Sequence, residues 1–316
     1  MNLAEIVNTA VDKKNFLSVA DYLKFSRVFL TFLTTGLQAT IISQNENHYC
    51  FYQYKDDGYF NISRPINSKL MYGLDDIDKI ETTFPKLLAS VRDLAQDDAG
   101  NREILTRSIY TIQQCVGAAL DALPAGRSNQ ARKINGDLFE RLIQELLKLI
   151  GVSCSMGTVQ VPVYLGGEVQ FKMNYQHDLL LYNEDELKVI GSVKTSSKDR
   201  IDKIFMDKFL YNKLTETAIP HVAIFLNDVQ RKNTKRENSY GINSTFLTGH
   251  FKAFTIKLNP LDGVYYCDIR PNMQKDNLLK QHIRTIDHFF CTDVWELIES
   301  EGLPLEKVEV IEDEQQ

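Results

Sequence analysis

Three residues have types and spacing that suit one piece of chemistry. Asp178 lies in His177-Asp178-Leu-Leu-Leu, and Lys194 lies in Gly191-Ser-Val-Lys-Thr-Ser-Ser-Lys-Asp-Arg200. Asp207 follows Lys194 by thirteen residues. A carboxylate on one strand, a lysine on the next and a second carboxylate on the following helix can together hydrolyse a phosphodiester. That reaction needs an activated water, relief of charge on the phosphate and a stabilised leaving oxygen. Bound Mg2+ can supply all three, and carboxylate oxygens suit it as ligands. In this reading Asp178 is the central metal ligand, Asp207 the second carboxylate, and Lys194 orients water and stabilises developing charge. Lys194 as general base is the alternative, and it requires a lowered pKa. Between them stands Lys198-Asp199-Arg200. Arg donates in pairs to guanine N7 and O6, Asp accepts from cytosine N4, and Lys reaches a neighbouring guanine. One short segment thus offers both cutting and base reading.

The surrounding pattern must place these groups. Apolar residues at helical spacing predict a helix over 137–150, ended by Gly151. Strands are expected at 159–165, 176–181 and 187–193, a helix at 202–214 and an apolar fourth strand at 221–226. Further strands are expected at 251–258 and 264–269, with a helix over 277–290. In the first third, 16–42 reads as one or two amphipathic helices. Residues 49–54 and 59–62 read as a hairpin turned at Asp57-Gly58, and 84–94 and 102–123 as helices. The fold class is therefore α/β, a central mixed sheet flanked by helices, with an N-terminal α+β subdomain over 1–125 and a core over 126–316. The subdomain is a candidate for DNA contact or dimerisation.

Bulk properties narrow the field. The chain has 316 residues with ordinary apolar (43%) and charged (25%) fractions, so it can bury a sizeable core. Its net charge of −6 means that any nucleic-acid partner must be met by a local basic face. The five cysteines are scattered without CxxC spacing, which argues against zinc and a disulfide framework. The start has no basic and apolar leader pattern, and the most apolar run is too short to span a bilayer. The expectation is a soluble, cytoplasmic protein with no membrane partner.

Two motifs carry a resemblance to a known group. Asn129-Gln-Ala-Arg-Lys-Ile-Asn-Gly-Asp-Leu-Phe-Glu140 is similar to a Gln-x-Arg-Lys…Gly…Glu signature. Ser192-Val-Lys194, with Lys198-Asp199-Arg200 and an acid at 207, matches a pattern in which a small residue replaces the acid beside the lysine. There the following helix returns the missing acid. Over about residues 127–230 the chain resembles type II restriction endonucleases of the CCGG/CCNGG group, within the PD-(D/E)xK nuclease superfamily. His177 stands where many members have proline, Asp207 where many have glutamate, and Ile134 where a basic residue is frequent. The resemblance implies Mg2+-dependent cleavage of double-stranded DNA with CC/GG half-sites and 5′ overhangs, within a restriction–modification system. It implies a homodimer as the minimal unit, some relatives being tetramers. It makes Glu140 a supporting metal ligand and puts Gln130 and Arg132 near the centre of the DNA site.

Each residue also has a plainer reading. Lys194 could extend to solvent from a strand end. Asp207 could pair with a neighbouring lysine on its helix. Glu145 rivals Glu140. Arg132 and Lys133 could be phosphate contacts. Arg231 and Lys232, in a basic cluster over 231–236 read as a polar loop, could touch DNA or only water. Other functional classes are a structure-selective nuclease of the same fold, an inactive DNA-binding member, and an α/β protein unrelated to nucleic acid.

Overall fold

A computed structural model describes the chain except residues 56–60, 185, 199, 237–238, 301–302, 305–308 and 313–316. The chain begins with α1 (Leu3–Val11) and α2 (Val19–Gly36). Asn2 with Glu5, and Ser18 with Asp21, close capping boxes that satisfy the first amides of these helices. A three-stranded antiparallel sheet follows: β1 (Leu37–Ile42), β2 (Tyr49–Tyr54) and β3 (Ile66–Asn67). Then come α3 (Ile77–Ala89) and α4 (Ala99–Asp121).

The second part opens with α5 (Ser128–Leu149), β4 (Ser153–Leu165), β5 (Glu168–Asn183) and β6 (Glu186–Lys194). It continues through α6 (Ile201–Thr215), β7 (His221–Phe225), a ribbon of β8 (Val229–Asn233) and β9 (Tyr240–Ser244), α7 (Thr248–Lys257) and β10 (Gly263–Tyr266). It ends with α8 (Pro271–Lys275), α9 (Asn277–His282), β11 (Ile283–Thr285), α10 (Ile286–His288), a π turn (Phe289–Asp293), α11 (Val294–Glu299), β12 (Leu303–Pro304) and β13 (Glu309–Glu312). The main sheet runs β11-β10-β7-β6-β5-β4-β13, with β12 added to β6. Its β4, β5 and β6 are antiparallel, whereas β6, β7, β10 and β11 are parallel, so the sheet is mixed.

Helices cover both faces. α5 buries Leu138, Phe139, Leu142, Ile143, Leu146 and Leu147 in a cluster with Leu179, Leu181, Val189 and Val193 of the sheet. Its end is closed by Gly151 at φ +88°, where glycine meets no steric penalty. On the opposite face, α6 sets Tyr211 against Leu180 and Ile190, and its Phe205 packs with Phe251 of α7 and Phe225 of β7. Strands β7 and β10 are buried throughout, as parallel strands between two helical layers must be.

The N-terminal part shares the first of these cores. One apolar cluster contains Leu3, Phe29 and Ile109 together with Leu142 and Val222. Tyr49 Oη and Asn67 Nδ2 each donate to the buried Asp268 carboxylate at 2.8 Å, which ties the small sheet to the end of β10.

The expected order of helix, three strands, helix and strand is present. Four readings change. Residues 251–258 are not a strand: Phe251, Phe254 and Leu258 share a helical face, whereas alternation would have set the 62% exposed Ile256 inside. Residues 37–42 leave the expected helical run and pair as β1 with β2. The partners of β2 are β1 and β3, not 59–62; the Asp57-Gly58 turn lies outside the described residues. The expected helix over 277–290 is broken by β11, which extends the sheet beside β10.

Candidate active site

Asp178 leaves the regular ladder at its own position. The pairing of β4 with β5 passes from Ser155↔Leu180 to Gly157↔His177, so Asp178 and Leu179 face Met156 alone. This is a β-bulge, which re-aims a side chain. The pairing of β5 with β6 begins at Leu179↔Gly191. Beyond it, the amide of Val193 donates to Asp178 Oδ2 at 2.9 Å. From the end of β6, Lys194 Nζ contacts Asp178 Oδ2 at 2.6 Å and donates to Glu140 Oε1 at 2.9 Å. Glu140 reaches this point from α5. Its rival Glu145 pairs instead with Lys148 at 2.9 Å.

One ammonium here is shared by two carboxyl groups. Burial, and then the negative charge of Asp178, push the Glu140 carboxyl up to about 7, although Lys194 opposes the rise. Burial alone would lower the Lys194 ammonium, but Asp178 and Glu140 overcome it and hold the group above its ordinary value. Lys194 is therefore a cation in this arrangement. The two crowded carboxylates are a donor set that fits a small divalent cation. Mg2+ is commonly held by one or two carboxylates, its other positions filled by water and phosphate oxygens. Among the described residues no group of three or more His, Cys, Asp or Glu side chains is arranged for a metal.

Asp207 is not brought to this group by any described contact. It lies on α6, whose apolar residues cover the sheet face opposite α5, and its carboxylate pairs with Lys203 at 2.9 Å. The other nearby group is Tyr175, whose phenol is raised to about 12 by burial and by the charge of Asp207.

Glu140 and Lys194 line a cleft of about 830 Å³. Arg132, Lys133, Lys198, Arg200 and Arg231 line it too. A negatively charged chain thus gathers cations around one concavity. The N-terminal part supplies another wall, residues 61–65 with Leu120, Asp121 and Leu123. Arg64 lies flat on α4, its Nε and Nη2 donating to Asp121 at 2.8 and 2.9 Å. Only a glycine at 117 permits this, since a Cβ there would stand 2.1 Å from Arg64 Nη1. Arg231 comes from the β8–β9 ribbon, not from the expected loop. It donates to Ile62 O at 2.6 Å and stacks over Tyr240. Gln130 and Lys232 do not line the cleft: Gln130 accepts from Arg127 at 2.8 Å, and Lys232 is exposed next to Arg231. Asp199 lies outside the described residues.

Sequence reasoning passed over the N-terminal wall and Gln144, whose Nε2 donates to the main-chain oxygen of Asp178 at 3.0 Å. Gln144 follows Glu140 by one helical turn, and that i, i+4 spacing was the available signal.

No family model and no curated protein matches this sequence. Among solved structures, the chain is similar to the type IIP restriction endonuclease Kpn2I, with a TM-score of 0.68 at 17% identity. The match covers 95% of this chain and 98% of that one. The restriction endonuclease PspGI, solved with substrate DNA, matches with a TM-score of 0.39 at 12% identity, over 71% of this chain and 93% of that one. The likeness to Kpn2I establishes a restriction-endonuclease-like fold. No helix among the described residues is long and apolar enough to cross a membrane.

Proposed function

We propose that this protein is a type II restriction endonuclease that cuts double-stranded DNA in the presence of Mg2+, at a palindrome or pseudo-palindrome with CC and GG half-sites. The observation that carries the reading is the Asp178–Lys194–Glu140 group beside a cation-lined cleft. Asp178 and Glu140 hold the metal, which when bound polarises the phosphate and lowers the pKa of its water. Lys194 keeps its proton and stabilises the charge that develops on the phosphate. The resemblance gives Asp207 the part of a further acid, for which helix α6 as well as the Lys203 pair, itself worth only about 0.3–0.5 kcal/mol, must move.

Arg200, Asp199 and Lys198 read the half-site from the major groove. Arg132, Lys133, Arg231 and Lys232 contact backbone phosphates, and Gln130 lies toward the centre of the site. Because one copy holds one such group and a duplex has two strands, a homodimer is the working unit, two of which form any tetramer. Relatives of the resembled group leave 5′ overhangs, and the same is expected here.

The test is digestion of a long unmethylated DNA of known sequence in Mg2+, with the cut ends sequenced. Discrete ends at CC…GG support the reading. Cutting confined to branched DNA would make it a structure-selective nuclease. Specific retention without cutting, in Mg2+ and again in Mn2+, would leave only a DNA-binding protein.

A further inference from the structure

Asp178 is gripped from two directions, and one grip has no place in the metal or DNA chemistry. Gln144 is 2% exposed on α5. Its amide donates to the Asp178 carbonyl at 3.0 Å, within the bulge where Asp178 and Leu179 face one residue of β4. At a bulge the ladder is locally disrupted, so main-chain geometry there depends on contacts from outside the sheet. One hold on Asp178 comes from within the sheet, where the amide of Val193 on β6 donates to the side chain. Gln144 supplies the other, to the peptide itself. It also stands on the helix that carries Glu140, so one rigid element sets both carboxylates against Lys194.

We propose that Gln144 is a positioning residue. By holding the bulged peptide, it fixes the direction in which the Asp178 carboxylate faces Glu140 and the metal. The proposal rests on the nuclease reading above. It says that the distance between the two carboxylates is set by helix α5 and not by the strand alone. Partners that orient metal ligands from outside typically change metal affinity or activity by about 10–100-fold when removed.

The test compares wild type with Gln144→Met, which keeps length and apolar volume but cannot donate. Mg2+ binding is measured by calorimetry on the protein with a duplex whose scissile phosphodiester is replaced by an uncleavable linkage, alongside single-turnover cleavage of the natural duplex at saturating DNA. The expected result is Mg2+ affinity about 10–100-fold weaker, a rate reduced to match, and unchanged duplex affinity. Gln144→Leu, similar in bulk and with no donor for the carbonyl, should show the same loss. It serves as the readout if the methionine variant does not fold. Mg2+ affinity and rate within twofold of wild type, with only the melting temperature lowered, would reduce Gln144 to a packing residue and overturn the proposal. Failure of wild type itself to cut DNA is a different outcome, which overturns the nuclease reading.

Discussion

His177 and Asp178 are neighbours on one strand, yet they solve the problem of a polar group in a protein interior in opposite ways. Asp178 meets an ammonium and a main-chain amide, and that ammonium also holds a second acid, so the group is ion-paired. His177 points to the α6 side, where its ring stacks on Tyr175 and meets Tyr211 and His221 edge to face. There His177 Nε2, His221 Nε2 and the hydroxyls of Tyr175 and Tyr211 have no hydrogen-bond partner among the described residues. Burial holds both imidazoles down to about 3, so they stay neutral. The lesson is that two neighbours on one strand, beside a bulge, meet an ion-paired setting on one side and a cluster of uncharged polar rings on the other. Charge is retained where it can hold a metal, at a cost in crowding that shows in the raised Glu140.

If that division is right, removing charge from the first face should abolish chemistry and leave the fold. Asp178→Asn is expected to lower the cleavage rate by at least about 100-fold in single-turnover assays, with melting close to wild type. Loss of folding in place of loss of rate would place Asp178 in the structural half of the comparison. Glu140→Gln should cost about 10–100-fold, mostly as a higher Mg2+ requirement. An unchanged Mg2+ titration would remove Glu140 from the ligand set.

The second face makes a prediction about pH. Both histidines titrate lower when folded than the ordinary 6.5, so below that pH the unfolded chain takes up protons that the folded protein refuses. The stability these two rings contribute is full above about pH 6.5 and falls as pH drops toward 3, whereas the raised Glu140 and Asp268 carboxyls contribute in the opposite sense, so the comparison with a ring that cannot titrate isolates it. The loss is about 2 kcal/mol per imidazole by pH 5, from 1.36 kcal/mol per pKa unit. Urea denaturation at pH 7 and pH 5 measures it. His177→Phe, which keeps an aromatic ring and cannot titrate, should lose less stability over the same interval. An equal loss in both proteins would show that this face is not the acid-sensitive one.

The smallest expected effect concerns Asp207, on the helix that covers the second face. Asp207→Asn should slow cleavage about tenfold, whereas Lys203→Met, which frees the carboxylate, should not slow it. Equal rates for wild type and Asp207→Asn would leave a helix-surface ion pair as its whole role.

Much of this was legible in the sequence for identifiable reasons. The apolar stripe of α5 and the buried β6 and β7 follow from period and composition, and they put Glu140 on a helix and Lys194 at a strand end, where the structure has them. Asp178 could be named, but its bulge could not, because a bulge depends on the register of β4 against β5. Asp207 illustrates the same limit: spacing put it on the right helix, and only packing shows which face of the sheet that helix covers. The 251–258 segment was misread because its apolar residues fit a period of two as well as one of three to four, and the contact with Phe205 decided between them. The N-terminal wall of the cleft carries no local motif. It exists because Arg64 and Asp121, far apart in sequence, meet over Gly117.

The most direct test of the central claim is a parallel digestion of one long unmethylated DNA in Mg2+ by wild type and by Lys194→Met. The account predicts discrete fragments from wild type and intact DNA from the variant, with both proteins folded and both retaining duplex in a binding assay. Equal cutting by Lys194→Met would contradict it, since the ammonium that joins Asp178 to Glu140 would then have no part in the reaction.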